Sequence, residues 1–239
     1  ALECSCNYFF YTLGHQLSWQ KLNEVSAALG LGEPTGVELP ENVGWRADPD
    51  SKRRQHGEHA LDGQWFPGDE ILSAIGQSEN RFTPLQLCVY ASTLANKGTR
   101  MKATFLSRVV SSDYREVVFG NTAEILNQSY ISDEAWNAVT TGMLKVTTEQ
   151  GGTARSLFDG YPIKVAAKTG TAQTGDTTHS DNGAFVCYAP ADDPQIAVVV
   201  YGERAGHGRS MGDVAKAILD AYFGVDQSGS TLPGENEIS

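Results

Sequence analysis

The run Pro162-Ile163-Lys164-Val165-Ala166-Ala167-Lys168-Thr169-Gly170-Thr171-Ala172-Gln173 opens the most regular part of this sequence. Two further runs follow, Asn182-Gly183-Ala184-Phe185-Val186-Cys187-Tyr188 and Gln195-Ile196-Ala197-Val198-Val199-Val200-Tyr201. β-Branched and aromatic residues fill them, and Gly-rich or Asp/Pro turns separate them, so residues 162–168, 182–188 and 195–201 are predicted to be strands. Strands joined by short turns form an antiparallel meander. A helix over 211–223 follows, in which Val214, Ile218, Leu219 and Tyr222 share a face that can cover the sheet.

Upstream, Ser132 is placed to N-cap a helix that runs through Trp136, Val139, Met143 and Val146, with Asp133 and Glu134 in its first turn. It ends in the glycine-rich loop Glu149-Gln150-Gly151-Gly152-Thr153-Ala154. Pro84 opens another helix that stops at Lys97-Gly98, and residues 105–110 and 116–119 read as a short strand pair. Residues 5–29 read as two short helices that meet near Gly14 to Ser18, and 32–67 as a long, poorly regular connection. Helices before and after an antiparallel sheet predict an α+β fold, one domain over 1–224, followed by a polar, disordered tail over 225–239.

The chain has 239 residues, 40% of them hydrophobic, which fits a globular domain and excludes a disordered or fibrous one. No stretch reaches the ~18 apolar residues of a membrane helix. The N-terminus, Ala1-Leu2-Glu3-Cys4-Ser5, has neither the basic nor the apolar region of a signal peptide and no initiating Met, and reads as a piece cut from a longer polypeptide. Eighteen Lys plus Arg against 29 Asp plus Glu give a formal charge of −11, which repels nucleic acid and anionic lipid. The basic cluster Lys52-Arg53-Arg54 sits beside Asp48, Asp50 and Glu58 and reads as a solvated loop. Cys4, Cys6, Cys88 and Cys187 are too few for a disulfide framework, lack zinc-site spacing and are expected unpaired, with Cys88 and Cys187 in apolar core settings.

Chemistry concentrates at Lys168-Thr169-Gly170-Thr171. Period-two alternation puts Lys168 and Gly170 on one face of the strand and Thr169 and Thr171 on the other. Glycine lets a ligand's backbone lie close, free N–H groups can donate to it, and the lysine and threonines can bind a carboxylate. The pattern suits an extended peptide with a negative end. The triplet Lys-Thr-Gly alone arises by chance in roughly one sequence of this length in twenty. With Ser-x-x-Lys and Ser-Asp-Asn it forms the motif set of β-lactamases and penicillin-binding proteins.

Ser5-Cys6-Asn7, at the start of a helix, resembles the Ser-x-Asn motif of penicillin-binding transpeptidases. Lys168 to Gln173 resembles their third motif. Gly30 to Pro40, Trp65-Phe66-Pro67-Gly68-Asp69, Ile75-Gly76-Gln77 and Thr83-Pro84-Leu85-Gln86 resemble the class B, monofunctional branch, and Asn182 to Val186 with Tyr188-Ala189-Pro190 its fourth strand. The likeness covers Ala1 to about Gly224 in the family's order. One part is missing, the Ser-x-x-Lys motif with the nucleophile, which the family carries on a helix before Ser-x-Asn. Ser18-Trp19-Gln20-Lys21 fits those letters, but follows Ser5 and falls in a segment linking two helices, and is read as a decoy.

The resemblance implies a penicillin-binding/serine β-lactamase-like transpeptidase fold, lacking its N-terminal part, and a peptidoglycan D,D-transpeptidase that acts through a serine acyl-enzyme. It implies Ser5 as proton relay, Asn7 as a ligand of the substrate amide, and Lys168 as the source of positive potential. Thr169 and Thr171 would bind the terminal carboxylate beside Gly170, and the Thr171 N–H would form half of an oxyanion hole. It implies no cofactor and no metal. D-Ala-D-Ala stem peptides, β-lactams, the upstream segment as a separate chain and a cell-wall glycosyltransferase are the implied partners. The implied place is the bacterial cell membrane, with the catalytic domain on the extracytoplasmic side.

Plainer readings stand beside these. Ser5 alone fits a helix N-cap and Lys168 a strand-edge gatekeeper. The loop Gly151 to Ala154 is as well explained as a helix stop as by a place near the site, and the histidines, His179 and His207 among them, read as solvated. A β-lactamase of the same fold or a β-lactam-sensing receptor domain are the rival functions. The lactamase would be more compact, without the connection over 32–67.

Overall fold

The computed structural model describes residues 1–57, 60–175 and 178–225. In chain order its elements are α1 (Asn7–Ala28), α2 (Pro49–His56), α3 (Pro67–Ser73), α4 (Pro84–Ala95), β1 (Thr99–Met101), β2 (Arg108–Val110) and β3 (Val117–Gly120). There follow β4 (Ile125–Gln128), α5 (Asp133–Thr148), β5 (Ala166–Ala172), β6 (Asn182–Ala189), β7 (Ile196–Gly202) and α6 (Gly212–Phe223). Short 3-10 turns occur at Leu61–Gly63, Arg155–Leu157 and Gly208–Met211. The expected tail from Asp226 onward lies outside the described residues.

Two compact units divide the chain. The first takes Ala1–Thr12, Ile75–Gln77 and the described part of Ser132–Ser239. Its sheet is the predicted meander, order β5-β6-β7, antiparallel throughout, with Lys168 opposite Val186 and Gly170 opposite Ala184. The first strand begins at Ala166, four residues later than Pro162, and runs on to Ala172, so Lys168 to Thr171 lie within the ladder. Val165, Ala167, Phe185, Cys187 and Val198 form the core with Val146, Phe158, Ala215 and Leu219. Phe185 and Leu219 are wholly buried, each contributing about 2 kcal/mol by the area removed from water. Thr147 Oγ1 donates to the Val165 carbonyl at 2.6 Å and ties the end of α5 to the chain entering β5.

The cap of α5 is as expected, with Ser132 Oγ accepting from the Ala135 N–H at 3.2 Å. The face of α6 is not. Ala215 and Leu219 are buried, while Val214, Ile218 and Tyr222 are exposed. Small residues decide this. A Cβ on Gly212 would lie 2.3 Å from Leu157 Cδ1 and 3.1 Å from the Phe185 ring, so the helix approaches the sheet along its Gly212, Ala215 and Leu219 line.

The second unit takes Leu13–Ala74 and Ser78–Ile131. Ser18, at φ 64 and ψ 155, breaks α1 into the two helices expected from the sequence. The predicted strand pair is β2 with β3, and β1 pairs antiparallel with β4 across that pair in the chain, a pairing the sequence did not announce. The connection over 32–67 is more ordered than its composition suggests. Glu41 accepts from the Thr35 N–H and hydroxyl and from the Gly36 N–H. The buried Gln86 donates to the carbonyls of Glu33 and Val43.

The basic cluster is corrected as well. Lys52-Arg53-Arg54 lies on α2, capped by Asp48, whose carboxylate accepts from the Ser51 N–H at 2.6 Å. Arg53 and Arg54 are exposed, but Lys52 is buried and bonds both Asp69 carboxylate oxygens at 2.7 Å. A buried ammonium needs such a partner, and the pair fixes α2 to α3. His56 is exposed, as the solvated reading expects, and its Nε2 lies 3.1 Å from Glu79 Oε1.

Candidate active site

Strand β5 pairs only with β6 among the described residues, so its other edge lies outside the sheet. The Thr169 carbonyl accepts from Lys168 Nζ at 2.6 Å and the Thr171 carbonyl from Gln77 Nε2 at 3.4 Å. Both acceptors therefore point away from β6. In a strand the N–H and C=O of one residue face the same side, so the Thr169 and Thr171 N–H groups share that free edge. An extended peptide can add to it as a strand.

The first six residues form the opposite wall. The Ser5 N–H donates to the Leu2 carbonyl and the Cys6 N–H to the Ala1 carbonyl, a tight turn in which Ser5 has φ 51. Positive φ in a serine is strained and marks a position held by its surroundings. Lys168 Nζ donates to Ser5 Oγ at 2.6 Å. The helix begins only at Asn7, so the Ser5 hydroxyl faces the lysine and does not cap it. Asn7 is exposed in the first turn, two residues beyond Ser5, and its amide has no hydrogen-bond partner among the described residues.

Lys168 is half-buried, and burial pushes its ammonium below the ordinary lysine range, with the Cys4 thiol acting in the opposite sense. With donors to Ser5 and to the Thr169 carbonyl, it is fixed in place. On the other face of the strand, Thr169 Oγ1 lies 2.9 Å from Thr153 Oγ1, and Thr171 Oγ1 accepts from the Gly208 N–H at 3.4 Å. Gly170 stands between them, and its Cβ position would meet only Ala184 at ordinary contact. All six residues singled out in the sequence belong to the first unit, and Ser5 and Lys168 touch.

Three contacts of the strand had no assigned role in the sequence. The loop Gly151 to Ala154 does reach the site, through Thr153. It is folded tightly, since a Cβ on Gly152 would lie 2.4 Å from the Val146 carbonyl oxygen, and the Thr153 N–H donates to the Glu3 carbonyl at 3.3 Å. Gln77 and Gly208 complete the set. Ser18 and Lys21, the decoy pair, lie in the other unit, where Lys21 Nζ bonds both Glu24 carboxylate oxygens. No disulfide joins any of the four cysteines. Cys187 is buried as expected, Cys88 half-buried and Cys4 exposed. Among the described residues no cluster of His, Cys, Asp or Glu could hold a metal, and no helix is long and apolar enough to cross a membrane.

The family model of the penicillin binding protein transpeptidase domain matches residues 1–223. The chain belongs to that family. Among transpeptidase-domain relatives, it is 29% identical to the peptidoglycan D,D-transpeptidase MrdA of Acinetobacter baumannii over 254 residues, covering all of this chain and 36% of that protein. It is also 29% identical to penicillin-binding protein 2B of Streptococcus pneumoniae over 231 residues, 90% of this chain and 31% of that one. The crystal structure of Pseudomonas aeruginosa PBP2 in complex with WCK 5153 superposes with a TM-score of 0.78 at 27% identity, covering 99% of this chain and 51% of that one. This transpeptidase-domain chain thus spans about a third of the length of those curated relatives, and its fold is the penicillin-binding transpeptidase fold.

Proposed function

We propose that this chain is the substrate-cradling part of a peptidoglycan D,D-transpeptidase that works through a serine acyl-enzyme, with the nucleophile in a Ser-x-x-Lys segment preceding Ala1. The observation that carries the reading is the Lys168 Nζ to Ser5 Oγ hydrogen bond of 2.6 Å between residues 163 positions apart. It joins the two motifs that the resemblance pairs, on a strand whose outer edge is open.

In this reading the upstream serine oxygen attacks the carbonyl of the penultimate D-alanine. The C–N bond to the terminal D-alanine breaks, and Ser5 relays a proton to that leaving amine. An amine of a neighbouring strand then attacks the ester, releases the serine and forms the cross-link. Thr169 and Thr171 hydroxyls bind the terminal carboxylate, Lys168 supplies positive potential, and Asn7 holds the substrate amide with the donor and acceptor its side chain offers. The Thr171 N–H is one of two oxyanion donors, each worth on the order of 3 kcal/mol in the transition state. The partners are stem peptides, β-lactams and a cell-wall glycosyltransferase, at the outer side of a bacterial membrane.

The experiment is mass spectrometry after exposure to a labelled β-lactam, on this chain alone and on the chain joined to its upstream segment. The joined protein is expected to carry one stable adduct on the serine of that segment, and the chain alone none. The Ser5 hydroxyl accepts from the Lys168 ammonium, which while charged is a donor and not a base, so it stays protonated and unreactive at neutral pH. An adduct on Ser5 or Ser18 of the isolated chain would overturn the assignment, and rapid hydrolysis by the joined protein would favour the lactamase.

A further inference from the structure

The first unit holds a cavity of about 770 Å³ that none of these roles uses, walled by the end of α5, the loop after it and the Gly208–Met211 turn. Two guanidinium groups line it. Arg155 bonds the Asp159 carboxylate, so its charge is matched. Arg209 bonds only the Ser156 hydroxyl and has no carboxylate partner among the described residues. Arg209 is an exposed side chain that lines this cavity, in a chain of formal charge −11. Its planar fork of donors fits a carboxylate in two parallel hydrogen bonds.

The cavity is anchored to the candidate active strand at two points. Thr153, in its wall, bonds Thr169, and Gly208, next to Arg209, bonds Thr171 Oγ1. One residue of chain spans at most about 3.5 Å, so Arg209 is held close to the edge that would receive the peptide. The terminal carboxylate already has Thr169 and Thr171 as its partners. A second acidic group is therefore what the cavity suits.

We propose that this cavity is a second carboxylate subsite, in which Arg209 receives an acidic group of the stem peptide remote from its terminal D-alanine. The proposal rests on the transpeptidase reading above. The carboxylate can belong to the donor peptide or to the acceptor, and the test separates the two.

With the joined protein, kcat/KM is measured for a D-Ala-D-Ala-terminated donor peptide with its internal carboxylates free and with them converted to carboxamides. The acceptor amine is compared in the same two forms. The parent is expected to prefer the free carboxylate in one arm by roughly two- to fivefold, the scale of a charge pair at an exposed site. Arg209→Gln should bring that ratio near one, and Arg209→Lys should keep part of it, as a point charge without the fork. No preference in either arm of the parent, or a preference that persists in Arg209→Gln, overturns the subsite. A parent that penicillin acylates but that shows no preference sinks this proposal alone, whereas a parent that penicillin does not acylate sinks the transpeptidase reading.

Discussion

Lys168 holds its charge where the surroundings disfavour it. Burial depresses its pKa, and the Ser5 hydroxyl and Thr169 carbonyl are neutral partners that do not restore it fully. The stability consequence has a definite sign. Between the lowered native pKa and the unfolded value of about 10.4, the unfolded chain binds a proton that the native state has lost. The contribution of this group to stability therefore rises with pH across that window. Lys168→Met removes the titration, so the melting temperature of the parent relative to this variant should climb as pH approaches about 10.4. A difference that stays flat or falls would show that the ammonium is not penalised in the native state. Titration of the Lys168 Cε signal by NMR gives the same midpoint directly and should fall below the ordinary lysine value of about 10.4.

At the scale of elements, the Gly208–Met211 turn is seated on the strand by the absence of a side chain. A Cβ on Gly208 would lie 2.0 Å from the Gly170 carbonyl oxygen and 2.4 Å from that of Ala184, both fixed in the ladder. Gly208→Ala should therefore cost about 1–3 kcal/mol and lower acylation of the joined protein, because the turn or β5 must move. Gly68→Ala is the comparison. It lies in α3, has nothing within 4 Å of its Cβ position, and should be neutral or stabilising by a few tenths of a kcal/mol. Equal melting temperatures for the two variants would sink the argument.

The same scale separates what could be read in advance from what could not. Ser132 with Asp133 and Glu134 announces α5, and the runs around Phe185 and Val198 announce the meander, because caps and strand patterns are local. Asp48-Pro49-Asp50-Ser51 is as good a start signal for α2, yet the charge and Pro/Gly content around it masked it. The face of α6 was misread because large apolar residues dominate a pattern, whereas close approach at Gly212 selected the small ones. Thr153, Gln77 and Gly208 reach β5 from 16, 94 and 37 residues away, and no local pattern encodes those pairings. Ser5 and Lys168 were paired through their resemblance to family motifs alone.

In the first unit as a whole, the core and the candidate site draw on different parts of the chain. Every residue of the core cluster falls between Val146 and Phe223, whereas the Ser5 wall comes from the far N-terminus. Closing so long a loop carries an entropic cost that grows only slowly with length, and a few contacts offset it here. Leu2 packs on Gly142, the Thr153 N–H reaches the Glu3 carbonyl, and Ser5 takes the lysine. A chain that starts at Asn7 loses all three and keeps the core. One partly buried leucine and two hydrogen bonds amount to about 2–3 kcal/mol, or a fall of roughly 4–12 °C in melting temperature for a chain of this size. Circular dichroism should show the same secondary structure in the shortened chain. The Lys168 titration should shift toward the ordinary lysine value, since the wall that buries it is gone. Loss of the folded signal on this truncation would mean that the N-terminal turn is part of the folding core and not a wall added to a finished one.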